Sequence, residues 1–336
     1  MNSPGRIKTQ RNRVFYRICG LQRNIVIVKK PGFWLPVRPN LKSTSAMTNN
    51  PKKLTIRNKS FEWGKRTYLM GVLNVTPDSF SDGGDFNTIE SAVAQAENMV
   101  LKSGVDIIDI GGQSTRPGAA EISLAEEIDR VIPVVQMLRQ KADIFGSIPI
   151  SVDTTRADVA QAAVEAGADI INDISGATFD SEMLSTVSKL AVPIILMHIR
   201  GTPQTMQKLT DYRDLIGEIG EFLESRIAAA VAAGIDKSQI IIDPGIGFAK
   251  TYSQNLEILR ELPKFRSLNC PILVGVSRKS FIGQILNQPF AKQRVWGTAA
   301  ACTGAIANSA DILRVHDVRE MHDVCQVADA IFRYQS

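Results

Sequence analysis

Eight short apolar runs, each followed by a segment of helical period, constrain this chain more than any other feature. The runs are YLMGVLN (68–74), DIIDIGG (106–112), IPISVD (148–153), DIIND (169–173), VPIILMH (192–198), IIIDPG (240–245), PILVGVS (271–277) and DILRVH (311–316). Between and after them, residues 89–102, 124–142, 156–166, 181–190, 215–233, 254–262, 292–308 and 318–332 read as helices. Strands buried on both faces lose the polar alternation of a half-exposed sheet and become continuous apolar runs, which is what parallel sheets covered by helices require. Eight such units in about 270 residues suit a closed (β/α)8 barrel, the TIM-barrel architecture, whose usual size is about 250 residues. A doubly wound open sheet is the competitor, but its phosphate loop GxGxxG is absent after the first run. The stretches GADII and SADIL repeat one device, a small residue ending a helix and Asp opening the next strand. Ahead of the first run, LTI and FEW flank RNKS and predict a short N-terminal β-hairpin, turning at Asn58 and Lys59, that plugs one end of the barrel.

The charge of the 336-residue chain is unevenly placed. Residues 1–50 contain ten Lys or Arg and no acid, so the total of 39 basic and 34 acidic residues leaves 29 against 34, or −5, for the remainder. The net +5 therefore belongs to the leader, and residues 51–336, read as the barrel domain, give no reason to expect nucleic-acid binding. Met47 restarts the chain plausibly, so residues 1–50 read as a dispensable basic leader. The alternative is that residues 1–46 are an organelle transit peptide. No apolar run approaches the ~20 residues of a membrane span, and no membrane partner is expected. Cys19, Cys270, Cys302 and Cys325 form no CxxC pair, which favours a reducing compartment, the cytoplasm.

Barrel enzymes build their sites at the carboxyl ends of the strands. Here every run closes on polar residues: Asn74; Ser114, Thr115 and Arg116; Asp153; Asn172 and Asp173; His198; Asp243; Ser277, Arg278 and Lys279; Arg314 and His316. Turns and helix caps account for some of them, for instance Asp173 and Asp317. They do not account for Lys279, Arg116, Arg314 and His316 on one rim with Asp153 and Asp243. Two carboxylates and the Asn172 amide can meet the edge of a flat nitrogen heterocycle, and the cations suit a phosphate group. Neither a Ser–His–Asp arrangement nor HExxH spacing points to hydrolysis.

The stretches GVLNVTPDSFSDGG, DIGGQSTRPGA, ISVDTT, IINDISG, LMHIRGTPQTMQ, IIDPGIGFAK, VGVSRKSFIG and ILRVHDV together resemble the dihydropteroate synthases, from about Thr67 to Val318. The resemblance implies a transferase of folate biosynthesis that joins 6-hydroxymethyl-7,8-dihydropterin pyrophosphate to 4-aminobenzoate and releases pyrophosphate. It implies that Asp153, Asn172 and Asp243 hold the pterin edge with Lys279 beside it. Arg314, His316 and Asn74 would then take the pyrophosphate and its Mg2+, with Asn74 as the metal ligand. Asp82 in the first loop, and Thr115, Arg116 and Pro117 in the second, would close over the reacting centre. Phe248, Lys279 and Ser280 would form the aminobenzoate pocket, and the protein would be a homodimer through its last helices. The loop 75–86 after Asn74 would be polar and glycine-hinged because it shuts out water. Two departures are visible: Gln113 stands where the family has Glu, and Ala249 where it has Gly. A methyl-transferring pterin barrel would lack the TPDSFSDGG and SRKSFIG loops, and a silent pterin-binding paralogue would have lost Arg314, His316 or Lys279; all are present.

Overall fold

A computed structural model describes residues 51–76, 85–115 and 118–333. The leader 1–50, Asp82 of the first loop, and Arg116 and Pro117 of the second lie outside the described residues. The chain begins with a hairpin, β1 (Leu54–Ile56) and β2 (Lys59–Phe61), and continues through strands β3 (Tyr68–Asn74), β4 (Ile107–Gly111), β5 (Ile150–Asp153), β6 (Ile170–Asp173), β7 (Ile194–Met197), β8 (Ile240–Asp243), β9 (Leu273–Val274) and β10 (Ile312–Val315). The helices are α1 (Asp85–Ser103), α2 (Leu124–Gln140), α3 (Ala142–Phe145), α4 (Ala157–Glu165), α5 (Met183–Leu190), α6 (Leu215–Ala232), α7 (Tyr252–Glu261), α8 (Ser280–Leu286), α9 (Val295–Ala307) and α10 (Val318–Phe332).

The eight strands β3 to β10 form one parallel sheet, ordered β8-β7-β6-β5-β4-β3-β10-β9. A bridge from Ile242 to Ile272 joins its two edges, so the sheet curls into a nearly closed barrel and the open-sheet alternative falls. Two apolar layers result. Outside the sheet, residues such as Leu69, Ile108, Ile171 and Leu313 pack with helix residues such as Val135, Ile219 and Met321. Inside, Tyr68, Met70, Ile107, Ile170, Ile241 and Ile312 form a second cluster with Leu54, Ile56, Phe61 and Trp63 of the hairpin segment. The hairpin therefore seals the amino-terminal end of the barrel, as the sequence predicts. Its turn lies one residue earlier than expected. Ile56 pairs with Lys59, leaving Arg57 and Asn58 as the turn, with Arg57 at φ 51°. Lys59 is thereby freed to pair with Asp106 at 2.8 Å.

The recurrent Asp before a strand pins the register of this end. Asp106, Asp169 and Asp311 accept the backbone N–H groups of Leu69, Ile150 and Ile272 on the adjacent strand, at 3.0, 2.8 and 2.8 Å. Each is also met by a cation: Arg66 and Lys59 at Asp106, Arg139 and Arg57 at Asp169, and Arg266 at Asp311. Helix starts carry their own signals. Asp214 caps α6, and Thr251 with Gln254 makes a capping box on α7. Asp317 departs from its expected role. Its side chain makes no cap bond at α10 and instead pairs with Arg278. Among the described residues, no helix is long and apolar enough to cross a membrane.

Candidate active site

The carboxyl ends of β3 to β10 bring most of the expected residues to one mouth. Asp153, Asn172 and Asp243, the last or next-to-last residues of β5, β6 and β8, are 7%, 4% and 7% exposed. Parallel register sets Gly111, Asp153 and Asn172 side by side on β4, β5 and β6. Arg314 reaches in from β10 and joins two carboxylates: its Nε donates to Asp109 at 2.6 Å and an Nη to Asp153 at 2.8 Å. The amide of Asn172 donates to Asp109 at 3.3 Å. Asp109 lies within β4, wholly buried, and ties three strands through one guanidinium and one amide.

Charge is short on the cationic side of this cluster. One guanidinium faces two carboxylates, and burial, together with the negative charge of Asp109, holds the Asp153 carboxyl above the usual range despite Arg314. Burial works against the charge of Arg314 too, but Asp109 and Asp153 more than offset it and raise its value. Asp243 is likewise raised by burial, against the pull of Lys279. Its Oδ1 accepts the N–H of Gly245 at 2.7 Å. Asp173 faces away from this cluster. It holds the turn after β6 by accepting from the Ser175 N–H at 2.7 Å and its hydroxyl at 2.6 Å, and burial pushes it up to about 6.

Lys279 lies before α8, donates to the carbonyl of Ile246 and sits 4.9 Å from the centre of the Phe248 ring. Burial lowers it to about 8. Ser280, the first residue of α8, is exposed. His316, the residue after β10, is half-buried, with Nδ1 3.0 Å from the Ser277 hydroxyl, which also accepts the His316 N–H at 3.1 Å. Asn74 ends β3 half-buried, and Thr115 is half-buried after β4. A Cβ on Gly111 would stand 3.7 Å from the Asn74 amide oxygen and 3.9 Å from an Asp153 oxygen, so the glycine keeps that space open. A cavity of about 260 Å³ lined by Gln113, Thr115, Asp153, Arg156, Phe179 and Gln204, among others, adjoins Asp153. His198 does not reach the mouth: it is 2% exposed and bonded to Lys250. Ala249 occupies φ 50°, in the left-handed region, which is the physical reason for a glycine there.

Comparison with known proteins decides the family. The model of the pterin binding enzymes matches residues 70–316, and the dihydropteroate synthase of Synechocystis sp. (strain ATCC 27184 / PCC 6803 / Kazusa) is 59% identical over 283 residues, spanning 84% of this chain and 96% of that protein. This chain belongs to the dihydropteroate synthase family. Among solved structures, the Xanthomonas albilineans dihydropteroate synthase with 4-aminobenzoic acid is similar at TM-score 0.77 and 40% identity, covering 85% of this chain and 100% of that one. The enzyme from that organism in complex with 7,8-dihydropteroate gives TM-score 0.75 and 38% identity, covering 84% and 100%. The activity of a dihydropteroate synthase, condensation of the dihydropterin pyrophosphate with 4-aminobenzoate in folate biosynthesis, follows for this chain.

Two residues escape a reading of strand ends, Asp109 and Lys250. Asp109 carries a signal: a charge inside the apolar run DIIDIGG has to be paired if it is buried. Lys250, after GIGFA, has the look of an ordinary loop lysine.

Proposed function

We propose that the dihydropteroate synthase reaction runs at the mouth formed by β3 to β10, with Asp153, Asn172 and Asp243 holding the pterin edge. The observation that carries this reading is the buried cluster of Asp109, Asp153 and Arg314 with Asn172, beside Asp243 and Lys279. A carboxylate short of cationic partners is suited to the N–H donors of a pterin, and to positive charge developing on the ring as the bond to pyrophosphate breaks. Lys279 stands between this lining and the 4-aminobenzoate pocket, which Phe248, Ser280 and Pro117 bound. Arg116, His316 and Thr115 meet the departing pyrophosphate. Arg314 contributes its remaining Nη1, since its other nitrogens are committed to Asp109 and Asp153. Asp82, Arg116 and Pro117 complete the site from the two loops.

The residues present fit Mg2+. Asn74 presents an amide oxygen, a hard donor, into space that Gly111 leaves open beside an Asp153 oxygen. Among the described residues no group of three His, Cys, Asp or Glu could hold a metal alone. Binding through one protein oxygen plus substrate phosphates is common for this ion. When bound it supplies charge neutralisation to the pyrophosphate.

A second surface supports a homodimer. The helix α9, VWGTAAACTGAIA, has no charged residue, and Trp296 on it is 78% exposed beside exposed Ile285 and Leu286 of α8. The basic leader is separable from function, so a chain beginning at Met47 retains turnover.

Pyrophosphate release should depend strictly on 4-aminobenzoate, and Lys279→Ala should cut kcat/KM by about tenfold to a hundredfold, from loss of a charge-assisted bond worth about 1.5–3 kcal/mol. Release without 4-aminobenzoate, or full turnover in Lys279→Ala, would displace the site. The loops also predict order: calorimetry should show weak 4-aminobenzoate binding to the free protein and clear tightening with pyrophosphate and Mg2+. Equal binding in both conditions would remove the loops as the gate.

A further inference from the structure

The loop after β8, residues 245–250, is gripped by two lysines. From the pocket, Lys279 donates to the Ile246 carbonyl and lies over the Phe248 ring. The second is Lys250, 3% exposed, whose Nζ donates to the Phe248 carbonyl at 2.9 Å and lies 2.9 Å from His198 Nδ1. The rest of the loop is held as firmly: Gly245 N–H donates to Asp243, Gly247 N–H to Asn255 at 2.6 Å, and Tyr212 donates to the Ala249 carbonyl at 3.0 Å. Its conformation needs that grip. Gly245, Gly247 and Ala249 all have positive φ (70°, 85° and 50°), and a non-glycine there persists only where the surroundings enforce it. At Gly245 a Cβ would fall 2.0 Å from the His198 carbonyl, so the loop passes directly over the end of β7.

A buried ammonium is costly, and an apolar side chain of the same length would fill this space without that cost. Lysine at 250 therefore points to the need for its N–H donors. Burial and the charges of Lys250 and Arg200 hold His198 down to about 2, so its ring is neutral and its Nδ1 accepts from Lys250. Burial also lowers Lys250, with Asp243, Lys279 and Arg200 the charges that act on it. An amine retains two N–H groups when neutral, enough for both the Phe248 carbonyl and His198. The grip is thus independent of its protonation.

We propose that Lys250 is a positioning residue for the 4-aminobenzoate side of the site, fixing the loop in the conformation that sets the Phe248 ring and Ile246 carbonyl against Lys279. This rests on the proposed roles of Phe248 and Lys279. The loop touches the aminobenzoate wall through Phe248, whereas most of the pterin lining is built on β4, β5, β6 and β10, and Asp243, on β8, is hydrogen-bonded to the loop at the Gly245 N–H and not at Lys250. The effect of losing Lys250 should therefore fall on one substrate.

The test is steady-state kinetics of the full chain carrying Lys250→Met, Lys250→Gln or Phe248→Ala. In Lys250→Met the KM for 4-aminobenzoate should rise about tenfold or more, one decade on the ~1.4 kcal/mol scale, with the KM for the pterin pyrophosphate near wild type. Lys250→Gln, which keeps amide N–H donors, should recover part of that loss, and it carries the comparison if Lys250→Met does not fold. The KM ratio between variant and wild type should stay constant from pH 6 to 9. Equal loss for both substrates, or an unchanged 4-aminobenzoate KM where Phe248→Ala raises it, overturns the role of Lys250. An unchanged KM in Phe248→Ala itself overturns the assignment of the pocket, and the inference with it.

Discussion

The two ends of the barrel use aspartate for opposite purposes. At the amino-terminal end, Asp106, Asp169 and Asp311 together face Arg66, Lys59, Arg139, Arg57 and Arg266, and each also accepts a strand N–H. At the carboxyl end, Asp109 and Asp153 share the single Arg314, and Asp243 has one backbone N–H and, among the described residues, no cation in ion-pair contact, with Lys279, Lys250 and Arg314 acting on it from farther away. The consequence is visible in the acidities of Asp106, Asp153 and Asp243. Burial alone would raise Asp106, but Arg66 and Lys59 outweigh it and hold the group below its ordinary value. Asp153 and Asp243 go the other way. The same side chain stabilises where cations outnumber it and, in the proposed site, is left to meet a ligand where they do not. Charge balance at one end and its deficit at the other is how a barrel separates holding together from doing chemistry.

The largest expected effect is at the amino-terminal end. Arg266→Met leaves the fully buried Asp311 without its cation, which should cost about 3–5 kcal/mol of unfolding free energy. The kcat/KM of the folded fraction should stay within a few-fold of wild type. A large catalytic loss would mean the ends are not separable. Next, Asp153→Asn should lower kcat/KM by about tenfold to a hundredfold through the loss of a charge-assisted bond worth about 1.5–3 kcal/mol. If turnover survives, Asp109 alone carries the charge Arg314 needs.

A smaller effect distinguishes the ends by pH. Asp173 is raised to about 6, from about 3.9 in an unfolded chain. The folded state then binds more protons between those values, so its contribution is complete below about pH 4 and is lost as pH rises through 6. Asp106 is lowered, so its contribution is complete above the unfolded value and is lost only as pH falls through the folded one. Denaturant titrations from pH 3 to 8 should show Asp173→Asn gaining on wild type by about 2–3 kcal/mol as pH rises, at about 1.4 kcal/mol per pKa unit. Asp106→Asn should lose ground over the same rise. Parallel curves for the two variants would erase the contrast.

The barrel was legible because each strand is buried on both faces, and runs such as IIIDPG and VPIILMH leave no other period to read. The hairpin was legible too, but its turn was not: Asn58 and Lys59 have the character of turn formers, and only the pairing of Ile56 with Lys59 shows that Arg57 takes the positive φ. Asp153, Asn172, Asp243 and Lys279 stood out as polar strand ends. Asp109 did not, because its role depends on Arg314, 205 residues away, and no local pattern encodes that pair. Asp317 has the sequence position of a cap for the same reason, since Arg278 claims it across 39 residues. Lys250 required the fold outright, being a loop lysine until β7 places His198 behind it.

The most direct measurement makes one isosteric change at both ends: the unfolding free energies of Asp311→Asn and Asp243→Asn against wild type at pH 8. The amide placed at position 243 can still accept the N–H of Gly245 while shedding a buried charge, whereas the amide placed at position 311 forfeits the ion pair with Arg266. Expected is a loss of about 2–3 kcal/mol in Asp311→Asn, on the scale of charged hydrogen bonds, with stability unchanged or increased in Asp243→Asn. Comparable losses in both variants would contradict the division of labour between the two ends.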